Sequence, residues 1–192
     1  MKAAVFLDRD GVLVRDVDLL IHPDQFQILE GVQEALCFLH CAGFRLVVVS
    51  NQAVVARGLA SEAEVEVLNA YLQGLLEQAG GPRLDGWYFC PHHPKATLPA
   101  YREDCGCRKP KPGLLFRATR ELELDLSASF MVGDRITDMI AGARAGTRTV
   151  LVQTGKHLEP PITTSESLDD STRPDHTCAD LREAAQWILN VK

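Results

Sequence analysis

Five short apolar runs alternate along this chain with longer segments of helical periodicity, and this alternation constrains the fold more than any other feature. Strands that alternate with helices need crossover connections, which indicates an α/β fold with a parallel, Rossmann-like sheet. The runs are almost continuously apolar ("LVVV", "TVLV"), as expected when helices cover both faces of the sheet. The predicted strands are Ala3–Leu7, Arg45–Ser50, Gly86–Phe89, Ser129–Val132 and Thr149–Val152.

The helical segments carry their own boundary signals. Ser61, followed by Glu64, predicts a capping box at the start of a helix, and Gly146 is expected to end another. The polar stretch Gly155–His176 fits neither period and is predicted to be a surface loop. The predicted helices are Gly31–Cys41, Ser61–Ala79, Pro112–Leu122, Ile136–Ala145 and Ala179–Leu189.

The overall composition excludes several classes of protein. The 192 residues suit one domain spanning residues 1–192, and 46% apolar residues allow a sizeable core. A net charge of −6 argues against a nucleic-acid binder driven by bulk charge, while leaving room for a local basic pocket. No apolar run approaches the roughly 18 residues of a membrane helix, and no signal peptide is visible. We therefore expect a cytoplasmic monomer with reduced thiols, acting on a small molecule.

Polar side chains follow three of the predicted strands at their carboxyl ends, where ligands bind in open parallel sheets. Asp8 and Asp10 follow the first strand, and Ser50, Asn51 and Gln52 end the second. Asp134, with Asp138 close behind, follows the fourth, and "CRKPKPG" adds Arg108, Lys109 and Lys111 before a helix. The sequence thus predicts one edge of the sheet that carries carboxylates, a hydroxyl, an amide and cations.

These residue types together indicate phosphoryl transfer. Carboxylates as close as Asp8, Asp10 and Asp134 repel one another unless a cation lies between them, and hard oxygen ligands suit Mg²⁺. Asp8 can then attack a phosphate as nucleophile, forming an aspartyl-phosphate, while Asp10 protonates the leaving oxygen and later deprotonates water. Ser50 and Lys109 can hold the phosphoryl oxygens.

A second constellation lies between the third strand and the fourth predicted helix. Cys90-x-His92 is followed, after twelve residues, by Cys105-x-Cys107. Three thiolates and one imidazole form a closed tetrahedral zinc site, which predicts a structural zinc that pins a loop of about residues 90–109. By geometry alone His93 can replace His92 as a ligand. The other cysteines, Cys37, Cys41 and Cys178, are interpreted as small buried apolar residues.

The motifs resemble those of the haloacid dehalogenase (HAD) superfamily of phosphohydrolases. "FLDRDGV" resembles its first motif, "VVVSNQ" its second, Lys109 in "CRKPKPG" its third and "MVGDRITD" its fourth. "CPHHP" followed by "CGCRKPKPG" is similar to the histidinol-phosphatase-like branch, in which a zinc-bound loop stands in place of a large cap domain.

The resemblance implies a role for each matching residue. Asp8 is the nucleophile and Asp10 the general acid/base, and magnesium is held by Asp8, the backbone carbonyl of Asp10, and Asp134, with Asp138 supporting its waters. His92 is favoured over His93 as the zinc ligand. Lys109 contacts the transferring phosphoryl group, and further residues contact the substrate: Asp16, Asn51, Gln52, Arg108 and Arg135.

The resemblance also implies a substrate class. We expect removal of the 7-phosphate of D-glycero-D-manno-heptose 1,7-bisphosphate, a step toward nucleotide-activated heptose for lipopolysaccharide. Histidinol phosphate is the alternative substrate, and a phosphotransferase acting on another sugar phosphate is a further alternative. Two segments expected to grip the sugar, Val17–Leu19 and Ala53–Val55, differ from the usual pattern, and the second makes its loop bulkier and less polar.

Overall fold

Six parallel strands form one sheet in the computed structural model, which describes residues 1–158 and 173–192. The strand order is β3-β2-β1-β4-β5-β6. The sixth strand was not predicted, because its three residues contain only one strongly apolar side chain and so form no apolar run. The strands are β1 (Ala4–Leu7), β2 (Arg45–Asn51), β3 (Gly86–Cys90), β4 (Phe130–Gly133), β5 (Arg148–Val152) and β6 (His176–Cys178).

The five predicted helices are all confirmed, with ends that differ from the predictions by at most a turn, and the described residues add one short helix, α2. The capping box is present, since Glu64 N–H donates to Ser61 Oγ (3.2 Å) and Ser61 N–H to Glu64 Oε2 (2.7 Å). Gly146 ends α5 at a φ of 86°, as predicted. The helices are α1 (Val32–Cys41), α2 (Ala53–Ala56), α3 (Glu62–Gln78), α4 (Gly113–Leu122), α5 (Ile136–Ala145) and α6 (Leu181–Val191).

Helices cover both faces of the sheet. Alternate side chains of each strand enter opposite cores: Val5 and Leu7 of β1 pack with α1, α3 and α6, whereas Ala4 and Phe6 pack with α4 and α5. This two-sided burial is the reason that the strands are apolar throughout rather than alternating. The predicted α/β sheet flanked by helices is therefore confirmed.

The candidate site lies at the point in the sheet where the strand order reverses. β1 pairs with β2 on one side and with β4 on the other, so the connections leaving β1 and β4 run to opposite sides. A crevice opens at the carboxyl ends of such strands, and ligands bind there in doubly wound sheets. Within residues 1–158 and 173–192 no second domain is inserted into the connections around this crevice.

The interpretation of the three remaining cysteines was correct only for Cys178, which is buried. Cys41 is exposed and Cys37 is half-buried, because both lie on the face of α1 opposite its buried residues Val32, Ala35, Leu36 and Leu39. The middle of the predicted Gly155–His176 loop, residues 159–172, lies outside the described residues. Across the part of the chain that is described, no helix combines the length and apolar character needed to span a membrane.

Candidate active site and metal centres

Three strand ends and one loop converge at the crevice. Asp8 follows β1 directly, Ser50 is the penultimate residue of β2, and Asp134 follows β4. Lys109 reaches the same point from the loop that precedes α4. All four side chains are at least nine-tenths buried, so the polar groups predicted at separate strand ends meet in one enclosed site.

Three carboxylates form the centre of this site. Ligand oxygens of Asp8, Asp134 and Asp138 lie within 4.8 Å of one another, and all three side chains are buried. Burial raises the pKa of Asp8 to about 6, with Asp138 and Asp10 adding to the shift and Lys109 opposing it. Burial, together with the charges of Asp8 and Asp138, raises the pKa of Asp134 to about 7. The cluster therefore holds more negative charge than its protein surroundings neutralise.

The Lys109 ammonium group lies between two of these carboxylates. Its Nζ is 3.0 Å from Asp8 Oδ2 and 2.7 Å from Asp138 Oδ1, and it donates to Val49 O at 2.8 Å. Two of these contacts are ion pairs and the third is a hydrogen bond, so three oxygen atoms lie within 3.0 Å of the ammonium nitrogen. Although burial disfavours the charged form, Asp138 and Asp8 outweigh it and raise the pKa of Lys109 above its usual value. Lys109 is thus a fixed positive charge beside Asp8.

Asn51 fixes the backbone of Lys109. The Asn51 amide donates to Lys109 O and accepts from Lys109 N–H, each at 3.0 Å. Both polar atoms of the Asn51 side chain are therefore engaged with the loop that carries the lysine. This contact ties the end of β2 to the start of α4, and it joins two motifs that are far apart in the sequence.

Asp10, Gln52 and Ser50 form a second group beside the carboxylates. Gln52 Nε2 donates to Asp10 Oδ2 (3.0 Å) and to Ser50 Oγ (2.8 Å). Gln52 Oε1 accepts from the guanidinium of Arg9 at 2.9 Å. Gln52 is only 3% exposed, so its amide bridges groups inside the protein and does not lie open to the crevice.

Arg9 is a member of the site that sequence reasoning missed. Its side chain is 1% exposed, and it pairs with both oxygens of Asp10. Arginine is almost never fully buried unless it is paired. The sequence places Arg9 between Asp8 and Asp10, but that position indicates a role in the site only once the side chain is known to be buried.

The mouth of the crevice carries a second charged group. Arg135 Nη2 and Lys156 Nζ lie 3.4 Å and 3.5 Å from Asp16 Oδ2. Lys156 Nζ also contacts Asp18. Arg108 donates from Nη1 to the backbone carbonyl of His92 at 3.0 Å, which places the guanidinium beside the predicted zinc loop.

The turn after β5 also belongs to the site and was not predicted. Lys156 N–H donates to Asp134 Oδ2 at 2.7 Å, and Thr154 Oγ1 donates to the Gly11 carbonyl. A Cβ on Gly155 would lie 2.1 Å from Asp134 Oδ2, and one on Gly11 would lie 2.4 Å away, so only glycine fits against this carboxylate on both sides. The available signal was the segment "TGK" at a strand end on the same edge of the sheet.

The carboxylate cluster fits a divalent cation. With Asp134 Oδ2 held by the Lys156 amide, Asp134 Oδ1 is buried and has no hydrogen-bond partner among the described residues. A buried carboxylate oxygen without a donor is energetically costly unless a cation occupies its free side. An all-oxygen donor set is the set that Mg²⁺ selects. The side chain of Asp10 is engaged by Arg9 and Gln52, in agreement with a predicted metal contact through its backbone carbonyl.

The four predicted zinc ligands form a second cluster. The three sulfur atoms of Cys90, Cys105 and Cys107 are 3.2–3.4 Å apart, and His92 Nδ1 is 3.6 Å from Cys107 Sγ and 3.7 Å from Cys90 Sγ. These separations exceed a disulfide bond of about 2.05 Å and approach the edges of a tetrahedron with Zn–S bonds of about 2.3 Å. Neighbouring Cys90 lowers the pKa of Cys107 to about 5, with further contributions from Cys105 and His92, so Cys107 favours the thiolate. The pKa of Cys90 is raised by its contact with Cys107 and by burial, and that of Cys105 is raised by burial and by Cys107.

The structure distinguishes between the two histidines that geometry left open. His92 Nδ1 faces the sulfur atoms, and its Nε2 is 3.6 Å from Glu103 Oε2, an arrangement that orients a metal-binding imidazole. His93 instead accepts a hydrogen bond from Lys95 N–H at Nδ1, and it is not part of the cluster. The cluster that can hold a metal is therefore Cys90, His92, Cys105 and Cys107.

Comparison with known proteins gives consistent results. A family model described as HAD-hydrolase-like matches residues 106–184. The chain is 48% identical over 159 residues to the D-glycero-beta-D-manno-heptose-1,7-bisphosphate 7-phosphatase of Pasteurella multocida, across 82% of this chain and 85% of that protein. It is 43% identical over 187 residues, 96% of each chain, to a protein of the same name from Photorhabdus laumondii.

A solved structure is similar over the whole chain. The D,D-heptose 1,7-bisphosphate phosphatase from B. bronchiseptica, complexed with magnesium and phosphate, superimposes with a TM-score of 0.82 at 34% identity and covers 100% of both chains. The fold and these relatives define a phosphoric monoester hydrolase with a doubly wound sheet. The chain belongs to the HAD-like family of phosphatases.

Proposed function

We propose that this chain is a magnesium-dependent phosphatase that removes the 7-phosphate of D-glycero-D-manno-heptose 1,7-bisphosphate through an aspartyl-phosphate on Asp8. The observation that carries the proposal is the buried group of Asp8, Lys109 and Asp134 at the crevice, in a chain whose relatives bear the name of this activity. The reaction is one step toward nucleotide-activated heptose for lipopolysaccharide.

Asp8 is the proposed nucleophile because it is the carboxylate beside a fixed cation. Its Oδ1 accepts from Arg9 N–H at 2.7 Å, and its Oδ2 lies 3.0 Å from Lys109 Nζ. These contacts hold the carboxylate in one orientation for in-line attack on phosphorus. Lys109 and Ser50 are proposed to bind the phosphoryl oxygens, where negative charge is greatest in the transition state.

Asp10 is the proposed general acid and base. In the first half of the reaction it gives a proton to the leaving alcohol oxygen as the P–O bond breaks. In the second half it takes a proton from the water that attacks the aspartyl-phosphate. A carboxyl in this position typically contributes about 10²- to 10⁴-fold to the rate.

Magnesium is proposed to bind the carboxylates of Asp8 and Asp134 and the backbone carbonyl of Asp10. When bound, it neutralises charge between the substrate phosphate and the nucleophile. Asp138 is proposed to support this site, since its Oδ1 pairs with Lys109 and its Oδ2 accepts from Arg135 N–H at 3.0 Å. The turn at Lys156 orients Asp134 from the opposite side.

We propose that zinc bound by Cys90, His92, Cys105 and Cys107 is structural. Four protein ligands leave no open position for a substrate or a reactive water. The loop between β3 and α4 contributes few apolar side chains to the cores, so a bound metal would supply the order that packing does not. Arg108 and Lys109, which follow the last ligand directly, would then be delivered to the crevice in a fixed position.

Substrate contacts beyond the phosphoryl group are proposed for Asp16, Arg108 and Arg135 at the mouth. Asn51 and Gln52 are engaged inside the protein, and their contacts support a positioning role for the lysine backbone and for Asp10 and Ser50. The unusual residues Val54 and Val55 are also turned inward, where they pack with Val65. The extra side-chain volume that we expected in the sugar-binding loop therefore lies inside the protein, where α2 packs against α3.

The substrate is tested by a screen of phosphorylated metabolites with Mg²⁺, comparing kcat/KM. We expect D-glycero-D-manno-heptose 1,7-bisphosphate to exceed histidinol phosphate by at least about tenfold, since a polar pocket built for one substrate discriminates strongly against another. Histidinol phosphate as the better substrate would overturn the assignment while leaving the phosphatase chemistry intact. Absence of hydrolysis of every phosphate monoester would overturn the phosphatase proposal itself.

Asp134→Asn is expected to weaken Mg²⁺ binding by at least about tenfold, because it replaces a charged oxygen ligand by a neutral amide. The measurement is a calorimetric titration with Mg²⁺, which needs no turnover. Asp24→Asn, at an exposed aspartate in a short 3-10 helix, is the matched control and should leave the affinity unchanged. Wild-type affinity in Asp134→Asn would contradict the proposed ligand.

A further inference from the structure

We propose that Arg9 is a positioning residue for the general acid/base, and that it directs the transferred proton to one oxygen of Asp10. The inference rests on the proposed phosphatase function. The guanidinium donates from Nε to Asp10 Oδ1 at 3.1 Å and from Nη2 to Asp10 Oδ2 at 2.9 Å. Such a two-point contact fixes the plane of the carboxylate as well as its position.

The hydrogen bonds to Asp10 leave one acceptor site free. A carboxylate offers about four lone-pair positions, two on each oxygen. Among residues 1–158 and 173–192, Oδ2 accepts twice, from Arg9 Nη2 and Gln52 Nε2, whereas Oδ1 accepts once, from Arg9 Nε. The remaining lone pair is on Oδ1, and the Asp10 side chain is 24% exposed. The proton therefore leaves from Oδ1 and returns to it.

The surroundings of Arg9 are built to hold it. Its Nη1 donates to Asn69 Oδ1 at 3.1 Å, its Nη2 also donates to Gln52 Oε1 at 2.9 Å, and its guanidinium carbon lies 5.9 Å from the Phe26 ring centroid. Asn69 is a polar residue on the buried face of α3, between Leu68 and Leu72. A buried amide is unfavourable without a partner, so its presence there is explained by Arg9.

Stability alone does not account for this arrangement. Buried ion pairs recover little more than their desolvation penalty, and apolar residues of similar size often serve the core as well. What the network does supply is geometry, since it links Asn69, Arg9, Asp10, Gln52 and Ser50 in one chain of hydrogen bonds. The network thus fixes the position of the proton donor, Asp10, relative to Ser50, whose hydroxyl is proposed to bind the phosphoryl group.

In the reaction, Arg9 itself neither gains nor loses a proton. The Asp10 O–H bond breaks as its proton bonds to the leaving oxygen, which keeps the electron pair of the broken P–O bond. Asp10 is then a carboxylate held by Arg9 until the attacking water returns a proton to Oδ1. Water oxygen bonds to phosphorus as the bond to Asp8 breaks, which restores both carboxyl groups.

The test measures how the rate depends on the leaving group. A 4-nitrophenolate leaves without protonation, whereas a 4-methoxyphenolate is a stronger base and benefits from a proton donor. Because kcat/KM reports steps up to the formation of the aspartyl-phosphate, the ratio of its values for 4-nitrophenyl and 4-methoxyphenyl phosphate isolates proton donation. Asp10→Asn, without the acid, sets the upper limit of this ratio.

Arg9→Lys, which keeps the charge but has no planar fork, is expected to raise the ratio by about tenfold. Asn69→Leu, which releases Arg9 without touching Asp10, is expected to raise it by about threefold, and it decides the question if Arg9→Lys fails to fold. A role confined to folding would lower kcat/KM for both phosphates equally. An unchanged ratio in the folded variants would overturn the proposal, whereas a wild-type enzyme inactive on both phosphates would overturn the phosphatase function instead.

Discussion

Asp8→Asn is expected to lower kcat for 4-nitrophenyl phosphate with Mg²⁺ by at least about 10⁴-fold, the largest effect of any single substitution in this chain. An amide cannot form the aspartyl-phosphate, and no other carboxylate takes its place. Asp134 and Asp138 are held by Lys156 and Lys109, and Asp10 is held by Arg9. The measurement is the initial rate at saturating substrate.

The variant is expected to remain folded, which separates chemistry from stability. Burial raises the pKa of Asp8 to about 6, so the ionised carboxylate is less favourable in the folded chain than in water. A neutral side chain of the same shape removes that penalty, while Lys109 keeps Asp138 and the Val49 carbonyl as partners. We expect a Tm within about 4 °C of the wild type, equivalent to roughly 1 kcal/mol.

Asp24→Asn provides the control for the amide substitution, because Asp24 is exposed in a short 3-10 helix and is not one of the carboxylates of the cluster. It should retain the wild-type kcat and Tm. Turnover by Asp8→Asn above about 1% of the wild type would contradict the nucleophile assignment, since a missing nucleophile leaves a far smaller residual rate.

Cys107→Ser is expected to remove the zinc and to lower kcat/KM by about 10²-fold. Wild-type protein, freshly purified, should contain about one zinc per chain, because three thiolates and an imidazole converge on one point. Activity is expected to fall because Lys109 lies only two residues after Cys107, so a shift of the metal-free loop would also move the lysine. A misplacement of about 1 Å at a catalytic group can change the rate about 10²-fold.

The structure shows how the loop and the crevice are connected. Arg108 donates to the His92 carbonyl, Gly113 N–H donates to Gly106 O at 3.0 Å, and Asn51 holds the Lys109 backbone. Loss of the metal is expected to act on Lys109 through these contacts. The two measurements are metal content by mass spectrometry and kcat/KM for the proposed substrate.

Cys41→Ser is the matched control for the zinc prediction. Cys41 is exposed near the end of α1 and is not part of the cluster, so the variant should keep both zinc and activity. Full activity in zinc-free Cys107→Ser would show that the loop is ordered without the metal. It would contradict the structural role that we propose.

Local patterns account for the elements of this fold. The strand runs and the capping box of Ser61 and Glu64 were predictable because each depends on neighbours within a few residues. β6 was missed because its three residues carry no such pattern and form a strand only because they pair with β5. Cys41 was misplaced for a related reason: helical periodicity indicates which face is buried only when the packing partner of that face is known.

The residues of the candidate site also divide into those that the sequence predicts and those whose role depends on tertiary packing. Asp8, Ser50 and Asp134 were predictable because strand ends of a parallel sheet must meet at one edge, and the cysteine spacing suggested one metal cluster without structural information. Whether a polar side chain faces a ligand or the protein interior was not predictable. Asn51 and Gln52 directly follow Ser50 in sequence, yet their amides are engaged with Lys109, Asp10 and Ser50.

The sequence by itself thus determined the alternating fold, the edge of the sheet that carries the chemistry, and the residue types gathered there, because these depend on local periodicity and on strand polarity. Only the tertiary structure decided that Arg9 turns inward to Asp10 and Asn69, and that the turn at Gly155 closes on Asp134. Those contacts join residues distant in sequence, and they depend on burial and on the direction of each side chain, which arise only when the elements pack.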